Sequence, residues 1–235
     1  VTALSAATTV AVRRCRADWL GRIGYREALA AQQAAARALK DAQLRATPVA
    51  AEERLFLLEH PPVITLGRNA HDRDVLAGRE RLEALGVAVE ATDRGGQVTY
   101  HGPGQLVGYP VLDLSPDRRD VARYLRDLEE ALIRTLATYG IAASRSEGLT
   151  GVWVGDRKIA ALGVHLSRWV TTHGFALNVT TDLDHFGLIV PCGITTRGVT
   201  SMANVLGRPV PLEEVAARFV PEFAAVFGRA VAWIA

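Results

Sequence analysis

Arg94-Gly95-Gly96-Gln97-Val98-Thr99-Tyr100-His101-Gly102-Pro103-Gly104-Gln105 is the stretch on which the reading of the chain turns. Its twelve residues hold four glycines, a proline, a histidine and an arginine. Residues 88–91 before it and 106–114 after it are apolar, carry valine and read as strands. Glycine at this density serves turns, positive φ angles or close approach of the backbone to something bound. One reading is a wide hairpin with an irregular tip. The other is a bare backbone wall against which a ligand lies, with Arg94 and His101 at its ends. Two glycines suffice for a tip, and four around a polar cluster favour the wall.

Working outward, residues 10–19 read as a first strand and 25–45 as a helix rich in Ala, Gln, Arg and Leu, without Gly or Pro. Residues 54–59 form a strand stopped by His60-Pro61-Pro62, and Val63–Leu66 resume one. A polar loop over 67–74 precedes a short helix at 79–85, closed by Gly86. Downstream, Asp120 caps a helix whose core face is Val121, Leu125, Leu128, Leu132, Leu136 and Tyr139, with Gly140 at its end. Four β-like runs follow at 141–144, 151–154, 158–166 and 171–179, with Gly155-Asp156 as the hairpin turn between the second and third. Residues 188–190 lead into Pro191-Cys192-Gly193. A helix from Pro211, kinked or split at Pro221, and a strand near 231–234 close the chain. Hairpin-like strands with separate helical blocks predict an α+β fold, a mixed and largely antiparallel sheet flanked by helices.

With 235 residues the chain can bury one sizeable core, and no repeat or linker suggests a second. The expected organisation is a loose tail over residues 1–9 and a single domain over 10–235. A formal charge of +2, from 27 basic and 25 acidic residues, argues against a nucleic-acid partner. No apolar run approaches membrane-spanning length, and residues 1–12 lack a signal peptide's basic region. The two cysteines, Cys15 and Cys192, show no disulfide or metal spacing, so a reducing cytoplasm is expected.

The chemistry offered is a thiol, an amine, imidazoles and glycine backbone. Cys192, between Pro191 and Gly193, is either a sulfur presented at a cleft or a small buried hydrophobe. Lys158 is one of only two lysines in a chain that otherwise uses arginine. It is either a solvated strand-end charge or, partly desolvated by the apolar run after it, a base. The histidines make no close ligand pair, so no metal is expected; His101 and His173 stand out because each precedes a glycine. Dinucleotide fingerprint, phosphate loop and GxSxG elbow are all absent, so no cofactor is expected. A thiol and an amine without cofactor hardware suit acyl transfer through a thioester.

Taken together these motifs resemble the octanoyltransferases of lipoate biosynthesis. The resemblance rests on Leu58-Glu59-His60-Pro61-Pro62-Val63-Ile64-Thr65-Leu66-Gly67, on residues 94–108 and on Gly151-Val152-Trp153. It continues through Arg157-Lys158-Ile159-Ala160-Ala161-Leu162-Gly163, His173-Gly174-Phe175-Ala176-Leu177-Asn178 and Val190-Pro191-Cys192-Gly193-Ile194. It implies the fold of biotin and lipoate ligase catalytic domains. It implies transfer of octanoyl from octanoyl-acyl carrier protein to a lysine on lipoyl domains of 2-oxoacid dehydrogenase complexes and glycine cleavage H protein. Cys192 would then carry the acyl group and Lys158 would activate it. Residues 94–101 (Arg94 to His101), with Ala161, Leu162, Gly163, Gly174, Phe175 and Ala176, would line the acyl site. His165 stands where a basic residue is expected.

Overall fold

The computed structural model describes residues 12–45, 51–115, 118–190 and 198–235. The expected N-terminal tail and Cys192 lie outside the described residues. In chain order the elements are β1 (Arg13–Arg22), α1 (Tyr25–Gln43), β2 (Glu53–Glu59) and β3 (Val63–Leu66). Next come α2 (Arg79–Ala84), β4 (Ala88–Ala91), β5 (Val98–His101) and β6 (Gln105–Val111). Then follow α3 (Val121–Ala137), β7 (Ser144–Ser146), β8 (Leu149–Val154), β9 (Arg157–Ser167) and β10 (Val170–Asn178). α4 (Met202–Leu206), α5 (Leu212–Phe227) and β11 (Arg229–Ile234) complete the set.

An eight-stranded sheet runs β11-β1-β2-β6-β10-β9-β8-β7, and a three-stranded sheet runs β4-β3-β5. β1 pairs in parallel with β11 and β2; from β2 to β7 every pairing is antiparallel. The fold is therefore α+β with a mixed sheet. β6 and β10 are buried along their whole length, because helices cover both faces of the sheet at its centre. On one face lie α3 and α5, whose Leu128, Leu132, Leu136, Phe219 and Phe223 are fully buried. Each such side chain contributes about 1.5–3 kcal/mol. On the other face α1 presents Ala28, Ala36 and Leu39 to Phe56, Val107, Tyr109 and Ala176. No helix among the described residues is long and apolar enough to cross a membrane.

Of the two readings of the glycine-rich stretch, the hairpin between its flanking strands falls: the stretch contains β5, and β4 and β6 belong to different sheets. Two expectations are revised. Ile141 opens no strand. The N–H of Ile141 donates to Leu136 O at 3.1 Å and that of Gly140 to Ala137 O at 2.9 Å, with Gly140 at φ +75°, so Ile141 seals the C-terminus of α3. Pro221 does not split α5, which runs unbroken through it. Proline removes one N–H, and Ala217, the residue whose carbonyl it would have served, is exposed, so that water can satisfy the carbonyl.

Candidate active site

The glycine-rich stretch is held against β3 and β9. Gly67 N–H donates to Gln97 O at 3.0 Å, Arg68 N–H to Arg94 O at 3.0 Å, and Gly95 N–H to Val164 O at 2.9 Å. The guanidinium of Arg94 is buried on Thr65, donating from Nη2 to Thr65 O at 2.6 Å and to Thr65 Oγ1 at 2.9 Å. It thereby stiffens a loop that glycine leaves loose. A cavity of about 490 Å³, its mouth included, opens between this loop, β5 and the α1 side of the large sheet.

Its floor is made of the smallest residues in two cross-strand pairs. Gly163 stands opposite Gly174, and Ala161 opposite Ala176, two residues along on the same face. Of the residues expected to line an acyl site, Arg94, Gly96, Thr99, His101, Ala161, Leu162, Gly163, Gly174, Phe175 and Ala176 border this cavity. Leu162 and Phe175 send their side chains into the core under α3 and α5. Val98 and Tyr100 do not border it. Because β5 is a strand, they point away from Thr99 and His101, into a separate cluster with Ile64 and Phe186. Gly95 and Gln97 serve through their backbone bonds to Val164 and Gly67.

Three lining residues escaped the sequence reading of the site: Tyr25, Tyr109 and His173. Tyr25 opens α1 and Tyr109 sits in β6, and nothing local to either marks a cavity. His173 carries a signal, since it precedes a glycine. Its backbone is left-handed, φ +57°, which breaks the alternation of β10 and brings its ring to Tyr109 instead of the core below Phe175. His173 Nε2–H donates to Asp93 Oδ1 at 2.7 Å. His165 lies 3.6 Å from the other oxygen of Asp93 and 3.4 Å from Arg68. Burial pulls His173 below the ordinary imidazole range against the opposing pull of Asp93.

His101 is buried and keeps a neutral ring. Burial pushes its pKa down to about 3, helped by nearby His60 and Arg94. Its Nδ1–H donates to Gln105 Oε1 at 2.8 Å. His60, likewise pushed by burial to about 4, donates from Nδ1–H to Ile23 O and accepts from the Tyr109 hydroxyl, both at 2.9 Å. These imidazoles shape and polarise the wall; they are too weakly basic to take protons near neutral pH.

Lys158 comes to the cavity face through a β-bulge. Val152 pairs with Ala160 but Trp153 pairs with Lys158, so β9 carries one extra residue at Ile159. Ile159 and Ala160 both enter the core under α3. Without the bulge Lys158 would follow Ala160 inward; with it, Lys158 shares the face of Ala161 and Gly163. Its Nζ lies 4.9 Å from the centre of the Trp153 ring, a cation–π contact. Gly151, at φ +131°, leaves room for the stem: a Cβ there would meet Lys158 Cε at 3.1 Å. The Lys158 main chain is clasped by residues 198–200, donating to Gly198 O and accepting from Thr200 N–H, each at 3.0 Å. The chain leaves Val190, bonded to Asp74 O at 2.8 Å, and the described residues resume at Gly198 on Lys158. Cys15, the other thiol, is buried in the core, and burial raises its pKa far above that of a free thiol.

The architecture is that of solved lipoate protein ligases. A Thermoplasma acidophilum bipartite lipoate protein ligase superposes with a TM-score of 0.71 at 18% identity, over 95% of this chain and 88% of that one. Lipoate-protein ligase A bound with ATP gives 0.71 at 17%, over 94% and 90%. The family model of the lipoyl protein ligase A/B catalytic domain matches residues 24–224. Within that class, an octanoyltransferase of Solibacter usitatus is 57% identical over 92% of this chain and 94% of its own length. One of Chloroflexus aurantiacus is 51% identical, over 92% and 95%, and one of Acidobacterium capsulatum 48%, over 92% and 91%. The chain belongs to the octanoyltransferases of the lipoyl protein ligase A/B catalytic-domain family.

Proposed function

We propose that this chain moves an octanoyl group from octanoyl-acyl carrier protein, through a thioester on Cys192, to the ε-amine of a lysine on a lipoyl domain. The observation that carries the reading is the floor of Gly163 and Ala161 on β9 and Gly174 and Ala176 on β10, on the same face of the sheet as Lys158. A thin aliphatic chain fits a floor that carries no side chain larger than a methyl group. Burying an octanoyl tail is worth on the order of 5 kcal/mol, at about 0.8 kcal/mol per methylene. Identities of 48–57% to octanoyltransferases support the acyl-transfer activity.

In the first half-reaction the Cys192 thiolate attacks the thioester carbonyl, and the carrier's thiolate leaves and takes the proton of the Lys158 ammonium, so that Lys158 is a neutral amine when the acceptor arrives. A free thiol is only about 3% ionised at pH 7, so a neighbouring ammonium has work to do. In the second, the acceptor amine attacks the Cys192 thioester, the C–N bond forms and the C–S bond breaks. The proton lost by the amine passes to Lys158 and from there to the departing Cys192 sulfur. Lys158 thus serves as cation in one half and base in the other. Acceptors of this chemistry are the lipoyl domains of 2-oxoacid dehydrogenase complexes and glycine cleavage H protein. The likeness to ATP-binding lipoate ligases, at 17% identity, concerns the fold alone. The test is a turnover assay with octanoyl-acyl carrier protein and a lipoyl domain, run with and without ATP. Amide formation independent of ATP supports the reading, and a requirement for ATP overturns it.

A further inference from the structure

A thread of buried polar side chains joins the cavity wall to the clasp around Lys158. Thr65 Oγ1–H faces His101 Nε2 at 3.4 Å, and His101 Nδ1–H donates to Gln105 Oε1 at 2.8 Å. Gln105 Nε2 donates to Asn178 Oδ1 at 2.9 Å, and Asn178 Nδ2 donates to Thr200 O at 3.0 Å. Thr200 N–H then closes on Lys158 O at 3.0 Å. His101, Gln105, Asn178 and Thr200 are each at most 6% exposed. Groups this deep are costly unless every donor meets an acceptor, so the direction of each bond is fixed along the thread.

Asn178 is the junction, and its amide is used in both senses at once. It accepts from the cavity side and donates to the clasp side. Neither Asp, which when ionised only accepts, nor an apolar isostere can do both. Fixed at the end of β10, Asn178 sets where Thr200 lies, and Thr200 with Gly198 sets the main chain that carries Lys158. We propose that Asn178 is a positioning residue for the amine-transfer half of the reaction, holding the 198–200 clasp so that Lys158 keeps its place on the face of β9 that carries Ala161 and Gly163. This rests on the reading of Lys158 as the base.

Single-turnover kinetics on full-length Asn178→Asp and Asn178→Ser test it, measured beside wild type, Lys158→Arg and a thermal melt of each. Lys158 acts in acylation through its charge, which tolerates a small displacement, and in transfer by taking a proton at hydrogen-bond distance, so both Asn178 variants should acylate within about threefold of wild type yet transfer octanoyl to the lipoyl domain at least tenfold more slowly, with an unchanged KM for the acyl donor. The Asp variant should narrow its deficit relative to wild type as pH falls. Its neutral carboxyl can again donate to Thr200 O, whereas the Ser deficit should stay constant. If Asn178→Asp does not fold, the transfer rate of Asn178→Ser decides. Wild-type transfer by the Asn178 variants, or equal losses in both halves that track a lowered melt, would overturn the proposal. Should Lys158→Arg itself transfer normally, it is the base reading that falls, an outcome separate from Asn178 variants that match wild type while Lys158→Arg fails.

Discussion

Gly163 and Gly174 face each other across β9 and β10, and a side chain on either one would strike a different neighbour. A Cβ on Gly163 would lie 3.0 Å from Gly95 O and 3.1 Å from Arg94 Cδ, in the wall of the cavity. One on Gly174 would overlap Gly108 O and come within 2.7 Å of Pro110 Cδ, in the neighbouring strand β6. Gly163→Val should therefore raise KM for the acyl donor tenfold or more while melting cooperatively, because it displaces a loop. Gly174→Ala should instead cost about 1–3 kcal/mol of stability, the scale for overpacking a tight interior. Steady-state kinetics beside denaturant titrations separate the two. An active Gly163→Val enzyme would mean that the acyl chain lies elsewhere.

The buried imidazoles predict an acid-sensitive fold. His101 and His60 titrate at about 3 and 4 when folded, against an ordinary value of 6.5. Their folded pKa values are depressed, so the unfolded chain takes up protons that the folded one refuses. Stability is complete above about pH 6.5 and is lost progressively as pH falls toward 4 and then 3. His101 taken alone accounts for about 2 kcal/mol by pH 5. The two rings lie 5.8 Å apart, so their contributions do not simply add. Urea midpoints should drop between pH 7.5 and pH 5, and His101→Gln should flatten the drop. An unchanged midpoint in wild type would contradict the burial assigned to these rings.

Much of this was legible in the sequence, and the rest was not for definable reasons. β3 and β4 fall at the expected residues, α1 within two of them, and the Gly155-Asp156 hairpin joins β8 to β9 as turn chemistry requires. These features depend on local composition. β5 was hidden because glycine and polar residues surround it, and with it went the alternation that sends Thr99 and His101 to the cavity but Val98 and Tyr100 away. The bulge at Ile159 is a property of how β9 pairs with β8, which no single-strand pattern records. Tyr25 and Tyr109 reach the cavity only because α1 and β6 are packed beside it.

Lys158 is a test of whether charge or proton transfer is needed. Arginine keeps the charge and can stack on Trp153, but effectively cannot lose a proton. Lys158→Arg should preserve part of Cys192 acylation and slow transfer to the lipoyl domain by about 100-fold or more, the scale of a lost general base. Stopped reactions sampled for acyl-enzyme and for octanoylated acceptor measure the two halves separately. Near wild-type rates in both would leave Lys158 an electrostatic fixture. The base would then be neither His101 nor His60, whose burial keeps them too weak.

The central claim, a covalent acyl-enzyme on Cys192, is tested most directly by intact-mass analysis after mixing with octanoyl-acyl carrier protein in the absence of ATP and acceptor, followed by peptide mapping. The account predicts one octanoyl adduct per chain, mapped to Cys192, released under thioester-cleaving conditions, absent from Cys192→Ala and discharged on adding a lipoyl domain. An adduct on Cys15, or no adduct until ATP is supplied, would contradict it.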